Sequence, residues 1–257
     1  MLIDTHCHLE FEDFLQDLDN VIQRALDADV KRIITIATRV RQLNKLLAIT
    51  QAYEQVFCSV GTHPNHAQEE QDITAEELIH LSKHPKIVAF GEVGLDYYYD
   101  YSSPKEQKKV FQEHIIASRE TQLPLVIHSR NADFDMETIL REQTKEGPFP
   151  FVLHCYSSGM QLARAGIELG GYISFSGILT FKNAPEIREI AKIVPHKHLL
   201  IETDAPFLAP VPHRGKTNEP SFICHTAAIL AKVIGLNIEE TAKITTQNAF
   251  HLFSKMK

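Results

Sequence analysis

Six histidine and carboxylate side chains stand at the ends of short apolar runs, where metal ligands are expected. His6 and His8 follow the apolar start of the chain. Side chains at positions i and i+2 of a strand point to the same side, so the two imidazoles converge. The other four groups each end a later apolar run: Glu92, His128, His154 and Asp204. Imidazole and carboxylate are common ligands of divalent cations, so the pattern predicts a metal centre.

The number of these side chains indicates more than one cation. Four histidines and two carboxylates exceed the ligand set of one tetrahedral ion. Two ions that share a bridging ligand, the usual hydrolytic arrangement, accommodate all six. Any one histidine in such a place is more often a structural core residue, but four of them at strand ends favour a shared site.

The elements that position these residues are short apolar runs alternating with helical patterns. Eight runs rich in Val, Ile and Leu, typical of parallel strands buried on both faces, cover residues 2–4, 32–37, 56–60, 87–91, 125–127, 151–153, 172–174 and 199–201. Helical spacing indicates helices over 11–28 and 105–119, the second opened by Ser103 and Pro104. Eight strand–helix units predict a single (β/α)8 TIM barrel domain over residues 1–257, with its active site among the loops after the strands.

The composition is that of an ordinary globular protein, with 44% hydrophobic and 23% charged residues. The formal net charge of −7 excludes the broad basic field of proteins that bind DNA by general phosphate neutralisation. If the substrate is a nucleic acid, metal ions and a few local Arg and Lys residues must therefore contact the phosphate.

The cellular compartment is expected to be the cytoplasm. The four cysteines form no CxxC pair, which favours a reducing environment. The N-terminal segment MLIDTHCHLE lacks the basic and apolar regions of a signal peptide, and no apolar run has a membrane-spanning length. We therefore expect no membrane association.

The chain resembles the TatD-type metal-dependent DNases of the amidohydrolase superfamily. The matching motifs occur in the family's order along nearly the whole chain: DTHCHLEF at 4–11, GTHP at 61–64, GEVGLDYY at 91–98, HSR at 128–130, HCYSSG at 154–159, ETDAPFL at 202–208 and RGKTNEP at 214–220. The resemblance implies the barrel, a binuclear metal site and hydrolysis of phosphodiester bonds, typically from DNA ends.

The resemblance also implies roles for single residues. It implies two cation sites, one formed by His6, His8 and Asp204, the other by His128 and His154, with Glu92 as the bridge. Asp204 and Glu92 are thus the catalytic candidates, and Asp204 is expected to accept a proton from the attacking water. The metal stays open among Zn, Mn, Fe, Co, Ni and Mg.

Four residues are candidates for substrate contacts: His63, Arg130, Glu202 and Arg214. Each also has a plainer interpretation: loop capping for His63, a surface ion pair for Arg130, support of a ligand for Glu202 and an exposed loop for Arg214. The tyrosines of residues 97–101 either stack on bases or pack their own loop together.

The favoured function is a deoxyribonuclease acting on single-stranded DNA ends, because a recessed barrel mouth admits an end more easily than a duplex. No obligate protein partner is inferred. One alternative is a binuclear hydrolase of another ester, a lactone or an amide. The second is a metal- or nucleic-acid-binding protein without turnover. The sequence does not distinguish a DNA from an RNA substrate, and it gives neither the polarity of degradation nor the oligomeric state.

Overall fold

A computed structural model, which describes residues 1–256, contains eight parallel strands in sequence order around a barrel. The strands are β1 (Leu2–Cys7), β2 (Val30–Thr35), β3 (Val56–Val60), β4 (Ile87–Asp96), β5 (Leu125–Arg130), β6 (Phe151–Leu153), β7 (Tyr172–Phe175) and β8 (Leu199–Ile201). Each pairs with the next, and a bridge between Cys7 and Ala205 brings the end of β8 back to β1. The predicted (β/α)8 TIM barrel is confirmed.

Ten α-helices connect or flank the strands within the described residues. They are α1 (Glu12–Leu15), α2 (Leu18–Asp27), α3 (Leu43–Ala52), α4 (Ala75–Leu81), α5 (Pro104–Thr121), α6 (Asp133–Glu146), α7 (Met160–Glu168), α8 (Pro185–Ile193), α9 (Ile223–Ile234) and α10 (Ile238–Leu252). The predicted start of α5 is observed, since Ser103 caps it in a capping box with Glu106.

The helix predicted over 11–28 is divided at Asp17, whose φ of −132° is not helical. The Asp17 carboxylate accepts hydrogen bonds from the side chains of Asn20 and Arg24. Aspartate side chains that bond locally compete with a continuous helix. The amphipathic pattern therefore predicts the helical content correctly but misses this break.

Three strands extend by three or more residues beyond the carboxyl ends that the apolar runs predict. β1 continues to Cys7, β4 to Asp96 and β5 to Arg130. Polar residues occupy these extensions, so an apolar criterion ends the strands early. As a result His6, Glu92 and His128 lie within strands, whose backbones hold their side chains more firmly than loops would.

The inner face of the barrel is apolar below the candidate site. Residues two positions apart on a strand share a face. Three candidate residues each follow an apolar residue at this spacing: Val126 precedes His128, Val152 precedes His154 and Leu200 precedes Glu202. These valines and leucine belong to one buried cluster with Leu252, Phe253 and Met256, from the end of α10 and the turn after it. The candidate residues at the carboxyl ends of the strands therefore pack directly above the apolar core of the barrel.

No single helix in the described part of the chain is long and apolar enough to cross a membrane. Two consecutive helical segments that are bent against each other, Pro220–Ile234 and Ile238–Leu252, together have the length and apolar composition of a membrane span.

His114 is expected to make the fold sensitive to acid. This buried α5 residue donates from Nδ1 to the Val110 carbonyl at 2.9 Å and accepts from the Thr62 amide at Nε2, at 3.2 Å. The bond accepted at Nε2 needs the neutral ring, and burial lowers the pKa of His114 from 6.5 to about 4. Between these two values the unfolded chain binds the proton more readily, so stability from this residue is complete above pH 6.5 and is lost as pH falls toward 4.

His114→Gln keeps an acceptor but cannot take up the proton. Between pH 7 and pH 5 the variant should lose about 2 kcal/mol less unfolding free energy than the parent. Urea unfolding of both proteins at the two pH values measures the difference. Equal losses in the two proteins would contradict the assignment.

Candidate metal centre

The six predicted ligands meet at the carboxyl ends of the strands, at the base of a cavity of about 1010 Å³. They come from β1, β4, β5 and the segments directly after β1, β6 and β8. All lie within a connected set of nitrogen–oxygen and nitrogen–nitrogen distances of 2.7 to 3.9 Å. The structure therefore brings together His6, His8, Glu92, His128, His154 and Asp204.

Four of these side chains point their donor atoms at one small space. His6 Nε2 lies 3.3 Å from His8 Nε2, 3.4 Å from Glu92 Oε2 and 3.5 Å from Asp204 Oδ1. His8 Nε2 lies 3.6 Å from the same Asp204 oxygen and 3.9 Å from Glu92 Oε2. A tetrahedral site with metal–ligand bonds of 2.0–2.1 Å has ligand–ligand edges of about 3.4 Å, so this group fits a divalent cation.

The second carboxylate oxygen of Glu92 faces a different group of imidazoles. Glu92 Oε1 lies 2.7 Å from His154 Nε2, 2.8 Å from His128 Nδ1 and 3.4 Å from His63 Nε2. The shorter two are hydrogen-bond distances. Metal ligation requires the imidazole nitrogen without its proton. Because its two oxygens serve two groups, Glu92 has the geometry of a bridging carboxylate.

His63 lies closer to the cluster than a loop-capping residue needs to. Its Nδ1 accepts from the Asn65 amide, the predicted capping contact. Its Nε2 points inward, and its donor atom falls within 4.8 Å of those of Glu92 and His128. The structure thus places His63 beside the second group, where it is available to a cation or to a substrate.

Electrostatics favour ionised carboxylates in the centre. Burial opposes ionisation of Glu92, but the charges of His154 and its other imidazole neighbours outweigh it and hold the pKa well below 4.5. Asp204 behaves in the same way, with a hydrogen bond from His8 lowering its pKa. Burial and the neighbouring His154 lower the pKa of His6. The ionised carboxylates are suitable ligands for a cation. They outweigh burial and raise the pKa of His8 and of His154, whose protons a bound cation would displace.

Glu202 supports His154 from behind. His154 Nδ1 donates to Glu202 Oε1 at 3.1 Å, and the Cys155 amide donates to the same oxygen at 2.7 Å. Glu202 is buried and is not among the residues that line the cavity. Of its two predicted roles, the geometry favours orientation of a ligand over contact with substrate.

Asp96 holds His128 in the same manner and was missed from the sequence. His128 Nε2 donates to Asp96 Oδ2 at 3.1 Å. Asp96 lies on β4 four residues after Glu92, so strand alternation places both carboxylates on one face. That spacing was the signal that could have identified it.

The seam between β1 and β8 fixes the position of Asp204. The buried Asp4 carboxylate accepts from the Thr203 amide at 2.9 Å and the Thr203 hydroxyl at 2.6 Å. The Asp204 amide donates to the His6 carbonyl at 2.9 Å, and Asp204 itself has a φ of 57°. A non-glycine residue held in this left-handed region is a strained backbone position of the kind found at functional sites.

Arg130 is near the cluster, whereas Arg214 is not. The Arg130 guanidinium lines the cavity and lies 3.9 Å from the ring centroid of Tyr98. Arg214 lies over the Phe181 ring at 3.7 Å and donates to the Ala209 carbonyl. It is absent from the residues that line this cavity. The structure thus favours the exposed-loop interpretation of Arg214 over a substrate contact.

The tyrosines of residues 97–101 do not all occupy the same kind of environment. The Tyr97 hydroxyl donates to Asp135, which holds the loop against α6. Tyr98, Tyr99 and Tyr101 are exposed, and only Tyr99 of these lines the cavity.

Glu202→Gln is expected to weaken metal binding without unfolding the barrel. The neutral amide is a poorer acceptor for His154 Nδ1, and loss of such support typically costs 10–100-fold in metal affinity, so about that loss is expected here. Competition with a chromophoric chelator measures the affinity. Glu189→Gln is the matched control, since Glu189 pairs with Lys192 on the surface of α8. Equal affinities for the two variants would show that Glu202 does not orient His154.

Comparison with known proteins gives a consistent result along the chain. The family model described as TatD related DNase matches residues 3–254. The chain is 41% identical to the uncharacterized metal-dependent hydrolase YabD of Bacillus subtilis, covering 98% of this chain and 99% of that protein. It is 40% identical to the uncharacterized metal-dependent hydrolase YcfH of Escherichia coli K12, covering 98% and 95%. The crystal structure of the TatD homolog YjjV from Escherichia coli K12 superposes with a TM-score of 0.91 at 30% identity, covering 98% of each chain.

Proposed function

Because the chain belongs to the TatD-related DNase family and is a metal-dependent hydrolase, we propose that it hydrolyses phosphodiester bonds of single-stranded DNA, starting from an end. The observation that carries the proposal is the position of Glu92, whose two oxygens face two groups of imidazoles at the base of an open cavity. An open two-sided donor cluster suits hydrolysis, whereas structural metal sites close their coordination.

The two donor sets support a proposal of two divalent cations in this cluster. His6, His8 and Asp204 would hold one and His128 and His154 the other, with Glu92 shared between them. Bound cations of this kind lower the pKa of water and offset negative charge on a phosphoryl oxygen. The imidazole-rich ligand set favours Zn, Mn, Fe, Co or Ni over Mg.

Asp204 is the residue that accepts the proton of the attacking water in this proposal. Its side chain is 14% exposed and lines the cavity, so solvent and substrate reach it. Its ionised carboxylate has one oxygen turned toward His6 and His8. A positioned carboxylate within hydrogen-bond reach of the water acts as a general base.

Basic side chains around the cavity supply the local phosphate contacts that a chain of net charge −7 needs. Arg130 ends β5 at the cavity wall, and its planar guanidinium suits two phosphate oxygens. Arg39, whose guanidinium pairs with Glu69 at 2.8 Å, and Lys45 line another part of the wall. Lys45 is exposed and makes no ion pair within residues 1–256, so its charge is available to an anionic ligand.

The direct test is incubation of the protein with an end-labelled single-stranded DNA oligonucleotide and each divalent metal in turn, with products resolved by length. A ladder shortening from one end supports the proposal. Matched RNA, duplex DNA and a carboxylic ester substrate are tested in parallel. Turnover of the ester without cleavage of DNA would favour the hydrolase of another substrate instead.

Chelation is expected to abolish hydrolysis while leaving the fold intact, because the barrel core lies below the metal-binding residues. EDTA treatment followed by oligonucleotide cleavage and circular dichroism separates the two properties. Activity should return when metal is added back. Loss of the helical signal on chelation would show that the cations are structural.

A further inference from the structure

Two phenylalanine rings line the cavity beside the predicted metal ligands. Phe207 follows Asp204 in the segment after β8 and is 51% exposed. Its ring lies edge to face with that of Phe11 at a centroid distance of 5.9 Å. Phe11 in turn stacks on the imidazole of His8 at 4.9 Å. We refer to Phe11 and Phe207 as the aromatic wall.

Arg130 lies on the side of the cavity away from the aromatic wall. In a barrel ordered β1 to β8, β5 lies across from β1. Arg130, at the end of β5, is held in place over the rings of Tyr98 and Tyr99, at 3.9 and 4.9 Å from their centroids. Beside Phe11, by contrast, the cavity is lined by Glu12 and Asp13. These carboxylates repel a phosphate at the wall but do not oppose an uncharged ring.

A strand of unpaired nucleotides has the chemistry that this division requires. Its phosphates are anionic and its bases are flat, uncharged and apolar on their faces. With a phosphate near the metal ligands and Arg130, the adjoining base is directed toward the apolar side. Bases stack on aromatic side chains regardless of sequence, whereas a base inside a duplex is already covered on both faces by its neighbours.

We propose that the aromatic wall stacks the unpaired nucleobase next to the scissile phosphodiester, with Phe207 as the main contact; this rests on the proposed nuclease function. The wall then determines the preference for single-stranded substrate. Phe207 is the better probe because Phe11 stacks on the imidazole of His8 at a centroid distance of 4.9 Å, whereas Phe207 lies edge-on to that imidazole at 6.3 Å.

The test is a binding cycle that does not depend on turnover. Fluorescence anisotropy measures the affinity of the metal-loaded protein for a labelled single-stranded pentanucleotide with phosphorothioate linkages. The same strand is tested with an abasic residue at each position in turn. Phe207→Leu keeps an apolar side chain without the flat ring, and Phe207→Trp restores a ring. Phe134→Leu is the matched control, because Phe134 is 81% exposed and does not line this cavity.

Phe207→Leu should weaken binding of the intact strand about tenfold, as expected for one base–aromatic stack. For one of the abasic strands, Phe207→Leu should bind as tightly as the parent. Phe207→Trp should restore the affinity for the intact strand, and Phe134→Leu should not lower it. In cleavage of an ordinary oligonucleotide, KM should rise while kcat and metal content stay unchanged, because the stack is present before and during the reaction.

Equal losses for the intact strand and every abasic strand would overturn the stacking proposal, as would a fall in kcat accompanied by loss of metal. These outcomes are distinct from failure of the proposed function. Cleavage without coupling between ring and base leaves a nuclease with no aromatic subsite. Coupling without cleavage leaves a single-strand-binding site without nuclease activity.

Discussion

Asp204→Asn is expected to lower the rate of oligonucleotide hydrolysis by roughly 10²–10⁴-fold, the contribution of a general base. The amide keeps the shape and one coordinating oxygen but accepts no proton at neutral pH. Metal binding should weaken only in part, because His6 and His8 Nε2 remain 3.3 Å apart and face the same space. Rate and metal content are measured together at saturating metal.

His8→Ala is the comparison variant for Asp204→Asn. It removes a donor atom rather than a base, so metal and activity should fall together. If Asp204→Asn keeps most of its activity with the metals bound, then the base lies elsewhere. Glu202 is a poor candidate for that base, since its carboxylate is buried behind His154 and does not line the cavity.

Glu92→Gln is expected to have the larger effect on the metals themselves. The carboxylate contacts both groups of imidazoles, through Oε2 on one side and Oε1 on the other. An amide offers one oxygen and places a donor NH2 group where the second oxygen stood. We expect at least one of the two cations to be lost and the rate to fall by about 10³-fold or more.

Elemental analysis of purified Glu92→Gln and of the parent, loaded in the same buffer, measures the loss. Glu219→Gln is a matched control, because the Glu219 carboxylate pairs with Arg24 and does not line the cavity. Retention of the parent's full metal content by Glu92→Gln would show that the carboxylate does not bridge.

The arrangement of the strands could be predicted from sequence because the barrel depends on local patterns. The eight apolar runs each became a strand, and Ser103 became the cap of α5. The ends of β1, β4 and β5 could not be placed in this way. There, backbone pairing with neighbouring strands continues through polar residues, so pairing rather than hydrophobicity determines where each strand ends.

The grouping of the six candidate ligands followed from their positions at strand ends, but their supporting contacts did not. Asp96 required the observation that β4 runs four residues beyond Glu92. The position of Arg214 depends on how residues 204–220 pack against the segment after β7. There the Arg214 guanidinium lies over the ring of Phe181. Such a long-range contact has no periodic signal in a single sequence.

We propose that one cluster of six side chains holds two divalent cations bridged by Glu92. Anomalous diffraction from crystals loaded with Mn²⁺ or Zn²⁺ tests it directly. We expect two anomalous peaks about 3.5–4 Å apart. One should lie beside His6, His8 and Asp204 and the other beside His128 and His154, with Glu92 between them. A single peak, or peaks outside this cavity, would contradict it.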